Sequence, residues 1–377
     1  MKKINKIDVF IGERHVGTLA ETDHLIAFEY SDKWIREGFS LNPFSLPLRK
    51  ELFLPGYEPF EGLFGVFADT LPDGWGRLVV DRYIKSRLNI NADEISNFYR
   101  LTMISGSGMG ALSYKPSFES GAGVTETDYD TMALECKKML EEDYVENLDR
   151  LFHLGGSSGG ARPKIFTDIC GEGWIIKFPS TFDGKDIGLQ EYEYSLCAKQ
   201  CGIEMSETRL FESQECSGYF GTKRFDRKIV GGKTVRIHTI SAGGLLETSH
   251  RVPNLDYNQL MKLTMLLTGD MKEVSKMYDL MCFNVFAHNR DDHSKNFSFL
   301  YDENESRWKL APAYDLTCSN SIGGEHATTV DGEGKSPNLK NILSVAKKAG
   351  LDSRKAKIRA EEIRETVNDM LNRYLYF

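Results

Sequence analysis

His288-Asn-Arg-Asp-Asp-His-Ser-Lys-Asn296 follows an apolar helical stretch and precedes the apolar run Phe297 to Leu300. Asp291 and Asn296 stand five residues apart. That is the spacing of a kinase catalytic loop, in which the Asp orients the accepting hydroxyl and the Asn oxygen holds Mg²⁺. Further on, Leu310-Ala-Pro-Ala-Tyr-Asp-Leu316 places Asp315 24 residues after Asp291. A hairpin between the two returns Asp315 to the same cleft as a second magnesium ligand. Mg²⁺ prefers hard oxygen donors and keeps waters, so one carboxylate, one amide and nucleotide phosphates suffice. On its own the cluster also reads as a polar turn. A transition-metal reading of His288, Asp291, Asp292 and His293 lacks a further ligand group elsewhere.

Working upstream, Leu154-Gly-Gly-Ser-Ser-Gly-Gly-Ala-Arg-Pro-Lys164 places four glycines and two serines before a strand. Glycine lets the backbone approach closely, so successive N–H groups can wrap a polyphosphate. Pro-Lys-Ile around Lys164 is not the Gly-Lys-Ser/Thr of a Walker A loop. Ile175-Ile-Lys-Phe178 then puts Lys177 in a short apolar strand, where an ammonium needs an anion such as the ATP phosphates. Glu191, 14 residues later at the start of a helix, is a candidate partner for Lys177, with Glu193 the competitor. Gly loop, strand lysine, helix glutamate, Asp/Asn loop and Asp follow the order of a protein-kinase-like phosphotransferase. The conjunction is more specific than any member.

The chain has 377 residues, 47 Lys plus Arg against 55 Asp plus Glu, and a net charge of −8. That length corresponds to about two or three domains. No apolar run reaches the roughly 18 residues of a membrane-spanning helix, and Asn5, Lys6 and Asp8 stand where a signal peptide carries apolar residues. Seven scattered cysteines without a CxxC indicate neither a disulfide framework nor a cysteine zinc site, and point to a reducing cytoplasm. The acidic balance argues against coating nucleic acid by bulk charge.

The first hundred residues read as strand-rich with one helix. Ile7 to Leu19 has a hairpin pattern around Gly12-Glu13-Arg14. Phe67 to Arg77 passes through a Pro-Asp-Gly turn into a helix from Leu78 to Arg87, with Leu78, Val79, Tyr83 and Ile84 as its apolar stripe. Gly106 to Gly110 and Gly121 to Thr127 read as loops, and Glu141 to Glu146 as a solvated helix. Ile165 to Thr167 and Trp174 to Phe178 read as strands around a Gly171-Glu-Gly173 turn. Gln190 to Gln200 is helical, and Gly218 to Arg224 and Lys233 to Ile237 are strands. The helices Tyr257 to Leu267, Lys272 to Ala287 and Ser353 to Tyr374 follow, the last with Ile363, Val367, Met370 and Tyr374 on one face. This segregation predicts an α+β fold rather than alternating βαβ units.

Five segments carry a resemblance to a known family: Phe67 to Arg82 (FADTLPDGWGRLVVDR), Gly155 to Lys164, Lys223 to Arg227 (KRFDR), Asp291 to Phe299 (DDHSKNFSF) and Leu310 to Leu316. In these the chain resembles the HipA family, the bacterial serine/threonine kinase toxins of type II toxin–antitoxin systems. The resemblance implies a two-lobed protein-kinase-like fold with an N-terminal β-rich domain (residues 1–110), a linker and N-lobe (111–225) and a helical C-lobe (226–377).

It further implies Asp291 as catalytic base, Asn296 and Asp315 as magnesium ligands and Lys177 as the phosphate-binding lysine. Gly159, Gly160, Ala161, Arg162, Pro163 and Lys164 would cover the phosphates. Lys223, Arg224 and Phe225 resemble the hinge that meets adenine, with His293, Ser294, Lys295 and Tyr314 lining the nucleotide. Ser157 falls at the family's autophosphorylated serine, and Ser158 beside it keeps that assignment open. Phosphate there adds about −1.5 to −2 charge and would compete with the nucleotide or expel the loop.

The implied cofactors are ATP and Mg²⁺. The implied partners are a HipB-like helix-turn-helix antitoxin, which reads the DNA, and a protein substrate such as an aminoacyl-tRNA synthetase. Two other readings share parts of the pattern: a small-molecule phosphotransferase, and a nucleotide-binding pseudokinase acting as corepressor.

Overall fold

The structure is a computed structural model that describes residues 4–104, 108–118, 128–141, 145–319 and 322–375. The loop expected over 121–127 lies outside these residues, as do 106–107 and 142–144 of the neighbouring expectations. The chain divides into two compact units. One comprises Met1–Gly188, Arg209–Ile240 and Gly244–Glu247; the other comprises Leu189–Thr208, Ser241–Gly243 and Thr248–Phe377.

The first unit begins with the expected hairpin, β1 (Lys6–Ile11) and β2 (Arg14–Thr22), turned by Gly12 at φ +59°. With β3 (Leu25–Tyr30), β4 (Leu52–Phe53) and β5 (Leu112–Lys115) it forms an antiparallel sheet of order β4-β3-β2-β1-β5. Ile7, Val9 and Ile11 are buried while Lys6 and Asp8 are exposed, the alternation of a sheet with one face in the core. The region is more helical than its sequence suggests, since helices Asp32–Glu37, Gly65–Ala68 and Asn97–Ile104 accompany the expected one. Six residues are too few to display a helical period. Asp32–Glu37 is instead set by its Ser31 cap, which accepts from the Trp34 N–H at 3.1 Å.

The expected helix starts earlier, at Gly74, and ends at Tyr83 in a wider turn over Ile84–Leu88. It buries Trp75, Val79, Val80 and Tyr83, with Leu78 only partly covered. Tyr83 stacks on Phe152 of the helix Leu148–Gly155 at 3.9 Å between ring centroids. Beyond it, β6 (Lys164–Ile169), β7 (Glu172–Lys177), β8 (Thr208–Phe211) and β9 (Tyr219–Lys223) form a sheet of order β6-β7-β9-β8. The β6–β7 turn sits at Cys170-Gly171, both at positive φ, and Glu172 already pairs with Ile169. Two left-handed residues match the twist of a tight hairpin, which is why the turn is shorter than the two glycines suggest.

In the second unit the helices Ile187–Gln200, Tyr257–Thr268, Met271–Phe286 and Ser353–Leu375 match the expected ones within a few residues. Ala356, Ala360, Ile363, Val367 and Leu371 form the buried row of the last helix, and Met370 is 41% exposed. Leu371, eight residues from Ile363, keeps the four-residue ridge; Met370 lies off it. Among the described residues no helix is long and apolar enough to cross a membrane. All seven cysteines are free.

One buried histidine makes stability sensitive to pH. The His238 ring lies in the core, where its Nε2 donates to the Leu41 carbonyl at 3.0 Å. Burial lowers its pKa to about 4, against the bond to Leu41. The neutral form is favoured on folding, so the stabilisation is complete above about pH 6.5 and lost as pH falls towards 4. The loss is about 3 kcal/mol. Urea unfolding of wild type and His238→Gln at pH 7 and pH 4.5 is expected to show a smaller acid loss in the variant. Equal losses would contradict this assignment.

Candidate functional site

The loop after the helix Met271–Phe286 turns at His288, whose φ is +53°. Its two adjacent aspartates go opposite ways. The Asp292 carboxylate is fully buried and accepts from Tyr257 Oη at 2.8 Å and the Thr328 N–H at 3.1 Å, with His326 Nδ1 at 3.0 Å. Its carbonyl accepts from Thr328 Oγ1 at 2.5 Å. Asn284 Nδ2 donates to Tyr257 Oη, and Asn289 Nδ2 to Asn284 Oδ1, each at 2.9 Å. Burial first, then the Asp292 charge, raises the Tyr257 phenol well above its ordinary pKa, so it remains a donor. This hub pins the loop, and the Asp291 side chain is left 62% exposed. Sequence reasoning missed the hub, because adjacent aspartates carry no signal of which one is buried.

Asn296 closes the turn Ser294–Asn296, which His293 caps by accepting the Lys295 N–H at Nδ1, 3.3 Å. Asn296 Nδ2 donates to the Asp291 carbonyl at 2.7 Å, so its amide oxygen is the acceptor end of the side chain. His293 Nε2 lies 4.0 Å from Asp291 Oδ1. Ser294 is buried, and its Oγ has no hydrogen-bond partner among the described residues.

The expected hairpin follows, Ser298–Asp302 with Arg307–Leu310. Beyond it the Tyr314 hydroxyl donates to the Lys295 carbonyl at 2.5 Å and lies 2.6 Å from Ser298 Oγ. Tyr314 thus ties its segment to the Asn296 turn, one residue before Asp315. Asp315 holds a left-handed φ of +53°, a conformation that non-glycine residues adopt chiefly at functional sites and tight turns. An amide oxygen and a carboxylate on neighbouring turns fit the hard-donor chemistry of Mg²⁺. No group of three or more His, Cys, Asp or Glu side chains is arranged to hold a metal among the described residues, and Asp292 is committed to its hub.

In the first unit, Lys164 and Lys177 are register partners on β6 and β7 and both are buried. Cross-strand partners share a face, so the two ammonium groups stand on the same side of the sheet. Lys177 Nζ also lies 5.6 Å from the Phe220 ring centroid. A Cβ built on Gly160 would come 2.8 Å from Lys164 Nζ, so that ammonium lies under the Gly-rich loop. These residues fit a polyphosphate.

Both loop serines are buried. Ser158 Oγ donates to the Gly155 carbonyl at 2.6 Å, whereas Ser157 Oγ has no partner among the described residues. Gly160 donates its N–H to Asp73 Oδ1 and accepts the Trp75 N–H at 2.9 Å. Gly159 also faces Asp73, and Pro163 accepts the Phe178 N–H at 2.8 Å. Past Ala161, Arg162 is engaged in a two-point salt bridge to Asp183 at 3.0 and 3.2 Å. Burial alone raises the Asp183 carboxyl, but Arg162 and the Ser180 N–H outweigh it and hold the group below its ordinary pKa.

The segment around Phe225 is a charged knot. Lys223 pairs with Glu172. Arg224 Nε and Nη2 bond Asp226 at 2.9 and 2.8 Å, Nη2 also bonds the Gly108 carbonyl, and its guanidinium lies 4.4 Å from the Phe166 ring centroid. Fully buried Asp226 accepts the Gly110 N–H at 2.6 Å. The Arg224 and Asp226 side chains therefore tie down the 108–110 backbone.

In the second unit Glu191 is buried, while Glu193 is held by Arg373 and by the Tyr374 hydroxyl at 2.7 Å. Glu193 is thereby tied to the last helix.

These elements define an α+β chain with a protein-kinase-like fold. The chain belongs to the HipA family: residues 156–371 match the HipA-like C-terminal domain and residues 7–115 the HipA N-terminal domain. A chain of the Shewanella oneidensis MR-1 toxin–antitoxin complex of HipA, HipB and operator DNA is similar over 97% of this chain and 91% of that one. Its TM-score is 0.71 at 17% identity, and the two share a fold. The Helicobacter pylori proinflammatory kinase CtkA aligns with 55% of this chain and 90% of its own, at a TM-score of 0.38 and 15% identity. No curated protein sequence matches the chain.

Proposed function

We propose that this protein is an ATP- and Mg²⁺-dependent serine/threonine-protein kinase, the toxin of a HipBA-type module. The observation that carries this reading is the division of the aspartate pair: Asp292 locks the loop from inside while Asp291 stands in solvent next to the Asn296 turn. Asp291 orients the acceptor hydroxyl and receives its proton at the carboxylate. Lys177 and Lys164 hold the nucleotide phosphates, and the Gly159–Lys164 backbone covers them. Asn296 and Asp315 hold Mg²⁺. When bound, ATP supplies the γ-phosphoryl group and Mg²⁺ neutralises charge on the phosphates. Positioning and electrostatics account for nearly all of the catalysis in such transfers.

Family membership supports a HipB-like DNA-binding antitoxin as partner, and a translation component such as an aminoacyl-tRNA synthetase as substrate. Seven free cysteines suit the cytoplasm. Self-modification falls to Ser157 ahead of Ser158. A buried hydroxyl without a partner costs about 1–3 kcal/mol, so the loop loses less when Ser157 leaves its site.

Calorimetric titration tests the nucleotide reading. Wild type is expected to bind Mg-ATP, and Lys177→Met to bind it about 10- to 100-fold more weakly, the value of a charge-assisted phosphate contact. Absence of ATP binding by wild type would overturn the proposal.

A further inference from the structure

The Pro-Asp-Gly-Trp-Gly turn at 72–76 is absorbed by neither the catalytic loop nor the lysine pair. In the structure it is a receptor for the Gly-rich loop. A Cβ on Gly74, which has φ +44°, would lie 2.5 Å from the Gly160 carbonyl oxygen, and one on Gly76 would lie 2.0 Å from that of Ser158. Only glycine permits approaches this close. Trp75 donates its N–H to Gly160 O at 2.9 Å and its Nε1–H to Lys164 O at 3.0 Å.

Asp73 completes the contact in an unusual way. It is the N-cap of the helix Gly74–Tyr83, a position where an aspartate normally accepts a first-turn amide, yet its side chain makes no cap bond. Its carboxylate instead accepts the Gly160 N–H and faces Gly159.

A carboxylate on a glycine-loop amide occupies the place that a phosphate oxygen takes in such loops. Resting on the ATP-binding reading above, we propose that Asp73 is an internal competitor of the nucleotide. It holds the loop docked on the 73–76 turn through the Gly160 N–H, and triphosphate binding displaces it. The exchange replaces one anion with another at the same amide. It therefore couples occupancy of the nucleotide site to release of the loop, and with it to exposure of the two buried serines. Asp73 is a positioning residue: it acts on the loop and makes no contact with the transferring group.

The test is a titration of purified full-length wild type and Asp73→Asn with Mg-ATP, Mg-ADP and adenosine. Asparagine keeps an acceptor for Gly160 but removes the charge that competes with phosphate. The variant is expected to bind ATP about 2- to 5-fold more tightly, a gain of the size of one exposed charge interaction. ADP should gain less, and adenosine, lacking phosphate, should be unchanged. A change equal for adenosine and ATP would reveal a merely structural role and overturn the proposal, as would unchanged or weaker ATP binding. No binding by wild type would remove the nucleotide reading itself, whereas binding by wild type without the Asp73 effect removes only this inference. A second measurement needs no variant: on adding Mg-ATP to wild type, amide hydrogen exchange in the 73–77 peptide should rise severalfold, and unchanged or slower exchange contradicts displacement.

Discussion

Asp291→Asn is expected to lower phosphoryl transfer by about 10²- to 10⁴-fold, the range contributed by a positioned general base, while ATP binding changes less than about threefold. The reason is spatial. The Asp291 side chain is solvent-facing, and the loop that carries it is held through the Asp291 carbonyl and the Asp292 carboxylate. Removing the charge should therefore leave Lys164 and Lys177, the proposed phosphate ligands, in place. Stability should move by no more than about 0.5 kcal/mol, as for other surface substitutions. Turnover with γ-labelled ATP, paired with calorimetric ATP binding, separates these effects. Retained turnover would remove Asp291 from the chemistry.

The neighbouring residue should behave in the opposite way. Asp292→Ala takes the shared acceptor from Tyr257 Oη and the Thr328 N–H, and leaves His326 Nδ1 without its carboxylate. Each buried group left unsatisfied costs about 1–3 kcal/mol, so the expected loss is about 3–5 kcal/mol. For a unit of this size that is roughly 10 °C in melting temperature. Activity should fall too, through disorder of the loop. Thermal unfolding of the two alanine variants side by side decides the matter: equal melting temperatures for Asp291→Ala and Asp292→Ala would contradict the division of labour.

The parts of the fold legible beforehand are those with local signatures. The β1–β2 hairpin announces itself by Gly12 between alternating apolar residues, and the Asp291–Asn296 spacing by its place between an apolar helix and an apolar strand. The hairpin between Asn296 and Asp315 is likewise found as expected.

What stayed hidden depends on partners distant in sequence. Gly160 meets Asp73 87 residues away, and Asp226 meets Gly110 116 residues away; neither pairing has a period or motif to reveal it. KRFDR resembles a nucleotide hinge, and only the structure shows its Arg224 guanidinium bound to Asp226 and Gly108. The last helix shows the limit at one-residue scale, where Met370 and Leu371 are equally apolar and only the ridge packed in the core separates them.

The central claim is that this chain transfers phosphate from ATP through Asp291. Intact-mass spectrometry of the purified protein after incubation with Mg-ATP, beside Asp291→Asn treated identically, tests it most directly. The account predicts the gain of one phosphate in wild type only, mapped to Ser157 or Ser158. An unmodified wild type that binds ATP and gains no phosphate, or an Asp291→Asn variant that gains it equally, would contradict the account.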